Sequence, residues 1–350
     1  MNQFHFKGLI DTTLRDGQQS PLLFDTNTYR FTLEDKKTLI NGLVKLGIRF
    51  FEFFSPVVSE TEKNDFIELK SFIKTITDEK IILMAHCRCH SDDVEQAISI
   101  GFNGLNLYMG VSKIAQNYSH NYSFTEILEL TKSIISNLRK KYPELYIRFS
   151  VEDTFRTPLS DVFQVYDQLH TYVNTFGMPD TVGVATPILV AKRVDALKKR
   201  YPHVNLECHF HNDRGYSLIN AVTAIEHGVS YIDTSLWGLA ERSGITSTTG
   251  LLLNLLFTDK KLVKNYNLNL CYPLNVLMGS ILKAQVPYTE PVSLTNRTHT
   301  AGVHQKAILN NKKVYEAHNL EQFGVSNNQV LLGPLSGWNL IYYYLKEVDN

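Results

Sequence analysis

The residues best suited to chemistry are two histidines, His209 and His211, with one residue between them. Side chains two positions apart on a β-strand point the same way, so both imidazoles can bind one metal ion. A carboxylate such as Asp16 would add an oxygen ligand and leave positions open for a substrate. An isolated pair of this kind is more often structural, but a second polar strand end at Asp11–Gln19 favours function. We therefore predict a site for Mg²⁺, Mn²⁺ or Zn²⁺ at Asp16, His209 and His211.

These residues belong to a regular alternation of β-rich and helical segments that continues to about residue 257. The predicted strands are Gly8–Thr13, Ile48–Phe54, Ile81–Cys87, Gly104–Met109, Tyr146–Val151, Pro179–Val184, Asn205–His209 and Ser230–Ser235. The predicted helices include Leu33–Leu46, Glu62–Ile76, Phe124–Tyr142, Ser160–Val173 and Pro187–Arg200, and the predicted N-caps are Thr32, Ser91 and Ser123. Strand–helix units in this order predict an α/β protein with a parallel (β/α)8 TIM barrel rather than an open sheet.

The alternation stops after Phe257. Residues 258–350 contain several prolines, polar stretches and a helix-like tail from Leu335 to Val348. Their length exceeds that of an ordinary connection, which favours a functional role. We therefore predict a catalytic barrel over residues 1–257 and a mainly helical C-terminal arm, or lid, over residues 258–350.

Active sites of TIM barrels lie at the carboxyl ends of the strands, and only every second side chain points into the barrel. The sets with one parity are Asp11, Thr13 and Arg15; Glu52 and Phe54; Met84, His86 and Arg88; Asn106 and Tyr108; Arg148, Ser150 and Glu152; Thr181; and Glu207, His209 and His211. If these sets face inward, each places a polar group in one chamber at the top of the barrel.

The composition argues against several classes of partner. Lys+Arg and Asp+Glu balance at 35 each, so no net field indicates nucleic acid. No stretch of about 18 apolar residues occurs, so no membrane association is predicted. Four scattered cysteines suit a reducing cytoplasm better than a disulfide framework. We expect a cytoplasmic enzyme.

Three motifs resemble those of the DRE-TIM metallolyase family, which includes homocitrate, isopropylmalate and citramalate synthases and a CoA lyase. They are the first-strand segment Asp11–Gln19, the metal segment His209–Asp213 and the glycine-rich segment Gly238–Gly244. The resemblance covers nearly the whole chain. It implies a divalent-metal-dependent acyltransferase that carries out a Claisen condensation with acetyl-CoA.

Within this family the chain resembles the homocitrate synthase subgroup. The segments that carry this resemblance are His86–His90, Arg148–Asp153, Ala301–Ala307, Val314–Glu316, Phe323-Gly324 and Ser336–Asn339. The subgroup's reaction joins acetyl-CoA to 2-oxoglutarate and hydrolyses the thioester, giving homocitrate and CoA, as in lysine biosynthesis. The native metal, the pathway served and any assembly beyond a dimer stay open.

The resemblance also implies roles for individual residues. Arg15 would polarise the carbonyl of the oxo acid, and Glu152, His304 and Tyr315 would handle protons. His304 and Tyr315 would come from the arm of a partner subunit, which implies a homodimer. The substrate-binding residues would be Arg15, Gln19, Glu52, His86, Asn106, Arg148, Ser150 and Thr181.

Other functions remain open at this point. Alternative oxo acids are oxaloacetate, pyruvate and 2-oxoisovalerate. A lyase is a further alternative, although segment 237–249 lacks the cysteine expected of one. A catalytically inactive metal-binding homologue is the alternative from another class. Two residues depart from the family pattern: Ala240 replaces a usual glycine, and Asn106 stands where the subgroup usually has aspartate.

Overall fold

The computed structural model describes residues 4–347. Its central feature is a closed barrel in which each of eight strands pairs in parallel with its neighbours, and the last strand pairs with the first. The strands are β1 Gly8–Asp11, β2 Phe50–Phe54, β3 Ile82–Arg88, β4 Gly104–Gly110, β5 Tyr146–Glu152, β6 Thr175–Asp180, β7 Asn205–Phe210 and β8 Tyr231–Thr234. The predicted TIM barrel is confirmed.

Helices follow the strands and form the outer layer. The first ten are α1 Pro21–Asp25, α2 Leu33–Leu46, α3 Glu60–Ile76, α4 Ser91–Ile100, α5 Lys113–Ala115, α6 Phe124–Lys141, α7 Leu159–Leu169, α8 Pro187–Arg200, α9 Ser217–Glu226 and α10 Thr248–Thr258. Short 3-10 turns lie at Asp16–Gln19, Leu236–Gly238, Lys260–Val263, Leu268–Leu270, Thr295–Arg297, Lys312–Val314 and Leu320–Phe323, and a π turn at Gln116–His120.

Most predicted helix starts are confirmed, and local side chains cap these helices. Thr32 and Ser123 each accept a hydrogen bond from the backbone N–H three residues later and form complete capping boxes. The predicted cap at Ser91 is wrong: α4 begins at Ser91 itself, and His90 occupies the cap position without a side-chain bond. The end predicted at Val173 is also wrong, since α7 ends at Leu169.

The sixth strand was predicted in the wrong place. It covers Thr175–Asp180 rather than Pro179–Val184. Gly177 and Pro179 lower the β propensity of the true strand, which hides it from a local pattern. The structure gives a reason for Gly177: a Cβ there would overlap Ser150 Oγ and lie 2.9 Å from Glu207 Oε2. Close packing inside the barrel therefore requires a residue that local propensity disfavours.

The lower half of the barrel interior is closed by a small apolar cluster. Its buried members are Ile10, Ile82, Met84 and Tyr231, with Phe50 and Tyr146 packed against them. Because this cluster fills the amino-terminal end, polar groups are confined to the carboxyl end. It also shows that Ile10, not Asp11, faces inward on β1, so the predicted parity of that strand is wrong. Asp11 instead accepts hydrogen bonds from the backbone and hydroxyl of Thr13.

Helices and two short strands follow the barrel. Helix α11, Cys271–Leu282, packs against α2. The segment after it contains strands β9 Thr298–His299 and β10 Gln329–Val330, which pair in parallel, and helices α12 Gly302–Asn310 and α13 Trp338–Glu347. Helix α13 accounts for most of the predicted tail Leu335–Val348, although Val348 lies outside the described residues.

None of the helices within residues 4–347 combines the length and apolar character needed to cross a membrane.

Candidate active site

A polar pocket of about 300 Å³ opens at the carboxyl ends of the barrel strands. It brings together all but three of the predicted site residues. The predicted residues that line it are Arg15, Asp16, Gln19, His86, Asn106, Arg148, Ser150, Glu152, Thr181, His209 and His211. The three exceptions are Glu52, which lies buried among these side chains, and His304 and Tyr315, which lie in the C-terminal segment. Alternation along the strands thus predicted which residues would meet, except on β1.

Glu52 is the buried centre of the pocket. Its two carboxylate oxygens lie 2.7 Å from Arg15 Nη2 and 2.6 Å from Arg148 Nη2, and Asn106 Nδ2 donates to Oε2 at 2.8 Å. Burial alone would raise the pKa of Glu52, but Arg148 and Arg15 together hold it well below its usual range. Glu52 is therefore a permanent anion that fixes both guanidiniums.

Arg148 is 2% exposed and is already engaged by protein carboxylates. Nη2 contacts Glu52 and also Asp233 Oδ2 at 3.1 Å, while Nη1 contacts Asp233 Oδ1 at 2.8 Å. Nη1 has a second, looser neighbour, Glu207 Oε2, at 3.5 Å. The predicted grip of Arg148 on a substrate carboxylate stays a prediction. Both terminal nitrogens already bond to protein carboxylates, Nη1 to Asp233 and Nη2 to Glu52 and Asp233.

The predicted metal ligands have the donor atoms that a divalent ion requires. His209 Nδ1 lies 3.1 Å from Asp233 Oδ2, an arrangement that orients the ring and leaves Nε2 as the ligating nitrogen. Asp16 Oδ2 and His211 Nδ1 are buried and have no hydrogen-bond partner among the described residues. Burial and the neighbouring His209 lower the pKa of His211 to about 3, so its imidazole is neutral, the form that binds metals.

The three predicted ligands line one pocket, but their side chains are not close enough to form a metal cluster. Asp16 Oδ2 lies 3.9 Å from His209 Nδ1, and Asp16 directs Oδ1 to Arg15 Nη1 at 2.6 Å. Within residues 4–347, no three His, Cys, Asp or Glu side chains form a ready-made metal cluster. The residues fit a metal by donor type and by their unpaired atoms, which include Asp16 Oδ2 while Oδ1 stays paired with Arg15.

Charge balance supports the same fit. Four carboxyls face two guanidiniums in this part of the barrel, namely Asp16, Glu52, Glu207 and Asp233 against Arg15 and Arg148. Burial and the nearby Asp233 raise the pKa of Glu207 well above its usual range. A proton on Glu207 is the expected response where anions outnumber cations, and a bound divalent cation would relieve the same excess.

Glu152 lies at the mouth of the pocket, where β5 ends. Burial and the adjacent Asp153 raise its pKa, and His120 opposes part of that effect. Gly110 on β4 allows this side chain to sit close to the next strand, since a Cβ at that position would lie 3.1 Å from Glu152 Oε2 and 2.6 Å from the Cβ of Ala115. A carboxyl with a raised pKa in a pocket has the properties of a general base or acid.

His304 and Tyr315 lie together but away from this pocket. Their rings stack with centroids 3.9 Å apart and planes 27° apart, and both side chains are exposed. Among the described residues, those that line the pocket all come before helix α10, and none lies in the C-terminal segment. The structure of one chain therefore keeps the predicted proton-handling pair separate from Glu152.

Asp233 is the main site residue that the sequence analysis missed. It is fully buried, binds Arg148 and holds His209. Burial would raise its pKa, but Arg148 and His209 lower it, so Asp233 is an anion. The signal that would have revealed it is parity on β8, because Tyr231 faces the barrel interior and Asp233 lies two residues later.

The two departures from the family pattern are accommodated locally. Ala240 is buried and is not among the residues with positive φ, whereas Gly238 and Gly244 on either side are. Its methyl group therefore needs no unusual backbone. Asn106 donates to Glu52, contacts His86 Nδ1 at 3.0 Å and accepts from Ser150 Oγ at 3.1 Å, so the amide has partners on both of its atoms.

A larger cavity, about 1230 Å³, lies at the opposite, amino-terminal end of the barrel. Its lining includes Phe50, Tyr266 and the ion pair between Arg49 and Glu79. It contains no histidine and no buried unpaired polar atom among the described residues. Volume alone does not make it an active site, and the chemistry lies at the carboxyl end.

Comparisons with known proteins agree with this geometry. Residues 7–274 match the HMGL-like family, and residues 292–349 match the homocitrate synthase post-HMGL domain-like family. The mitochondrial homocitrate synthase of Schizosaccharomyces pombe is 35% identical over 336 residues, which cover 95% of this chain and 77% of that protein. The cytosolic homocitrate synthase isozyme of Saccharomyces cerevisiae is also 35% identical, covering 95% of this chain and 75% of that protein.

Among solved structures, the HMG-CoA lyase of Bacillus subtilis superimposes with a TM-score of 0.66. It is 22% identical and covers 82% of this chain and 97% of that one. This likeness concerns the fold.

Proposed function

Because this chain belongs to the HMGL-like family and also matches the homocitrate synthase post-HMGL domain, we propose that it condenses acetyl-CoA with 2-oxoglutarate. Water then cleaves the thioester, and the products are homocitrate and CoA. The observation that carries the proposal is the match of two successive segments, barrel and arm, to the same kind of synthase. The polar pocket supplies the groups that such a reaction needs.

We propose that Asp16, His209 and His211 hold the divalent metal. When bound, the metal would supply Lewis-acid polarisation of the oxo-acid carbonyl. Arg15 points into the same space and is fixed by Glu52, so its guanidinium can stabilise negative charge on the carbonyl oxygen. His86, Ser150, Thr181 and Gln19 would then bind the rest of the oxo acid, together with Asn106 and Arg148.

Glu152 is the residue we propose as the base. Its carboxylate would take a proton from the methyl group of acetyl-CoA, and the resulting carbanion equivalent would form a carbon–carbon bond to the oxo-acid carbonyl carbon. The oxygen of that carbonyl becomes a hydroxyl by gaining a proton. A raised pKa makes Glu152 a stronger base than an ordinary carboxylate once it is ionised.

We propose that His304 and Tyr315 act in the pocket of a second copy of the chain, within a homodimer. Both rings are exposed, and the same segment exposes apolar side chains that include Val303, Leu335 and Trp338. Large apolar side chains that are this exposed are typical of a surface covered by another chain. The division into a barrel over 1–257 and an arm over 258–350 stays a prediction.

We further propose a reducing compartment such as the cytoplasm, with the product serving lysine or related amino-acid biosynthesis. Cys87, Cys89, Cys208 and Cys271 are all free and buried. Burial raises the pKa of Cys87 and Cys89 to about 12, which leaves their thiols protonated and unreactive.

The substrate proposal is tested by release of free thiol from acetyl-CoA with a panel of 2-oxo acids. We expect the fastest release with 2-oxoglutarate and little with pyruvate or 2-oxoisovalerate, in the presence of Mg²⁺, Mn²⁺ or Zn²⁺. Faster release with oxaloacetate would assign another oxo acid to the same pocket. Release with none of the acids and none of the metals would overturn the proposal of an enzyme.

Glu152 gives a prediction for both rate and pH. Glu152→Gln should lower kcat by about 10²- to 10⁴-fold, the usual contribution of a positioned general base. In the unmodified enzyme kcat should rise with pH through the raised pKa of Glu152, because only the carboxylate is a base. Asp153→Asn should move this acidic limb to lower pH, since it removes the nearby negative charge that disfavours ionisation. Profiles of kcat against pH test both expectations, and an unchanged kcat for Glu152→Gln would exclude this residue as the base.

A further inference from the structure

The C-terminal segment contains a buried charged cluster made of Arg297, Glu316 and His299. Arg297 is 3% exposed, and its Nε and Nη2 donate to Glu316 Oε2 at 3.0 and 2.7 Å. His299 Nε2 lies 3.6 Å from the other oxygen, Glu316 Oε1. These residues take no part in the metal site or in the proposed chemistry of the barrel.

Stability alone is a poor explanation for such a cluster. Burying an ion pair costs desolvation free energy that apolar residues of similar size would avoid. The cluster is also incompletely satisfied, because neither His299 Nε2 nor Glu316 Oε1 has a hydrogen-bond partner among the described residues. A buried polar network with unpaired atoms calls for a functional explanation, since it lowers stability relative to an apolar core.

The cluster is attached to the stacked pair of His304 and Tyr315. Glu316 follows Tyr315 directly in the chain, so fixing the Glu316 carboxylate restrains the backbone that carries the tyrosine. The ring of His299, which belongs to the cluster, lies 6.5 Å from the ring of Tyr315. The salt bridge therefore holds one half of the stacked pair.

His304, the other ring of the stacked pair, is restrained by hydrogen bonds of the residue that follows it. Gln305 follows His304 on α12 and is completely buried. Its Nε2 donates to the backbone carbonyls of Leu331 at 2.7 Å and His299 at 3.2 Å. Strand β9, which contains His299, is thus the common support of both rings.

We infer that Glu316 is a positioning residue: held by Arg297 and facing His299, it sets the placement of Tyr315 against His304. This inference rests on the proposed function, in which that pair handles protons for a second subunit. Glu316 itself contacts neither substrate nor metal in this account. Its effect passes through Tyr315, because misplacing a reacting group by about 1 Å can cost roughly 100-fold in rate.

The test is Glu316→Gln in the full-length enzyme, which keeps the side-chain shape and removes the charge. We expect kcat to fall by roughly 10- to 100-fold while the KM values for both substrates change little. The matched control is Glu321→Gln, because Glu321 touches the same guanidinium at 3.3 Å but is 56% exposed. The control should keep kcat within about twofold of the unmodified enzyme.

A double-mutant cycle with Tyr315→Phe separates positioning from general loss of structure. If Glu316 acts through Tyr315, Glu316→Gln should lower kcat little further in the Tyr315→Phe background. Multiplicative loss of kcat in the double variant, or an unchanged kcat for Glu316→Gln alone, would overturn the inference. If Tyr315→Phe itself has full kcat, the failure lies with the proposed role of the arm. Circular dichroism and urea unfolding of each variant identify any that fail to fold, and Glu316→Asp then replaces the glutamine variant in the same cycle.

Discussion

Arg148→Met is expected to lower the free energy of unfolding by about 3–5 kcal/mol and to abolish activity. The guanidinium bonds to Glu52 and Asp233 and also faces Glu207, all of them buried. Methionine has a similar length but no charge, so the carboxylates would lose their shared cation inside the barrel. Urea unfolding followed by circular dichroism measures the shift of the midpoint.

The pH dependence of this deficit has a definite sign. Arg148 lowers the pKa of Glu52 and of Asp233, against the effect of burial. The stability that this contributes is present above the ordinary carboxyl pKa and is lost as the pH falls through the depressed values. The difference between the unmodified protein and Arg148→Met should therefore shrink in acid.

The control is an exposed pair of the same type. Arg200 Nη2 lies 2.5 Å from Asp167 Oδ2, with side chains 47% and 42% exposed. Arg200→Met should cost at most about 1 kcal/mol, because water screens the pair in the unmodified protein and solvates Asp167 afterwards. Equal stability losses for the two variants would contradict the account of Arg148. Adding Glu52→Gln and Asp233→Asn to Arg148→Met should restore part of the lost stability, and no such gain would also contradict it.

The second large effect concerns the metal. Loss of a residue that hydrogen-bonds to a metal ligand typically weakens metal binding by roughly 10- to 100-fold. Asp16→Asn removes a proposed ligand itself, so it should weaken Mn²⁺ binding by more than that. The substitution removes the negative oxygen that we propose as a ligand and keeps the side-chain shape. Isothermal titration calorimetry of the full-length protein with Mn²⁺ measures the affinity directly, and the thiol-release assay should show no activity.

Glu241→Gln is the matched control for this variant. Glu241 lines the same pocket, but its side chain is 60% exposed and is not a predicted ligand. Glu241→Gln removes one negative charge without removing a predicted ligand, so the affinity for Mn²⁺ should change by only about twofold. If both variants weaken Mn²⁺ binding equally, Asp16 acts through the general field of the pocket and not as a ligand.

Mixing subunits extends this experiment to the proposed dimer. Asp16→Asn chains should be inactive alone, and Tyr315→Phe chains should keep only a small residual kcat. If each arm serves the partner's barrel, random mixed dimers contain one intact site, and about a quarter of the full activity should return. No return of activity after subunit exchange would contradict the shared site.

Much of the fold and site was predictable because the relevant signals are local. Strand parity depends on residues two apart, and capping boxes such as that of Thr32 depend on residues three apart. The same local regularity placed Asp16, His209 and His211 at one end of the barrel, together with most of the pocket lining. For this reason the barrel, the end with the polar pocket and the metal candidates could all be predicted from local patterns.

Other features could not be predicted, because they depend on contacts between distant parts of the chain. Arg148 meets Asp233 and Glu52 across separations of 85 and 96 residues, so no local pattern could show that its guanidinium is already engaged. The position of β6 is another case, since Gly177 is required by Ser150 on the neighbouring strand and not by its own propensity. The attachment of His304 and Tyr315 to the buried cluster of Arg297, Glu316 and His299 likewise appears only once the arm is folded. The physical reason is the same in each case: charge pairing and close packing act through space, whereas propensity and parity act along the chain.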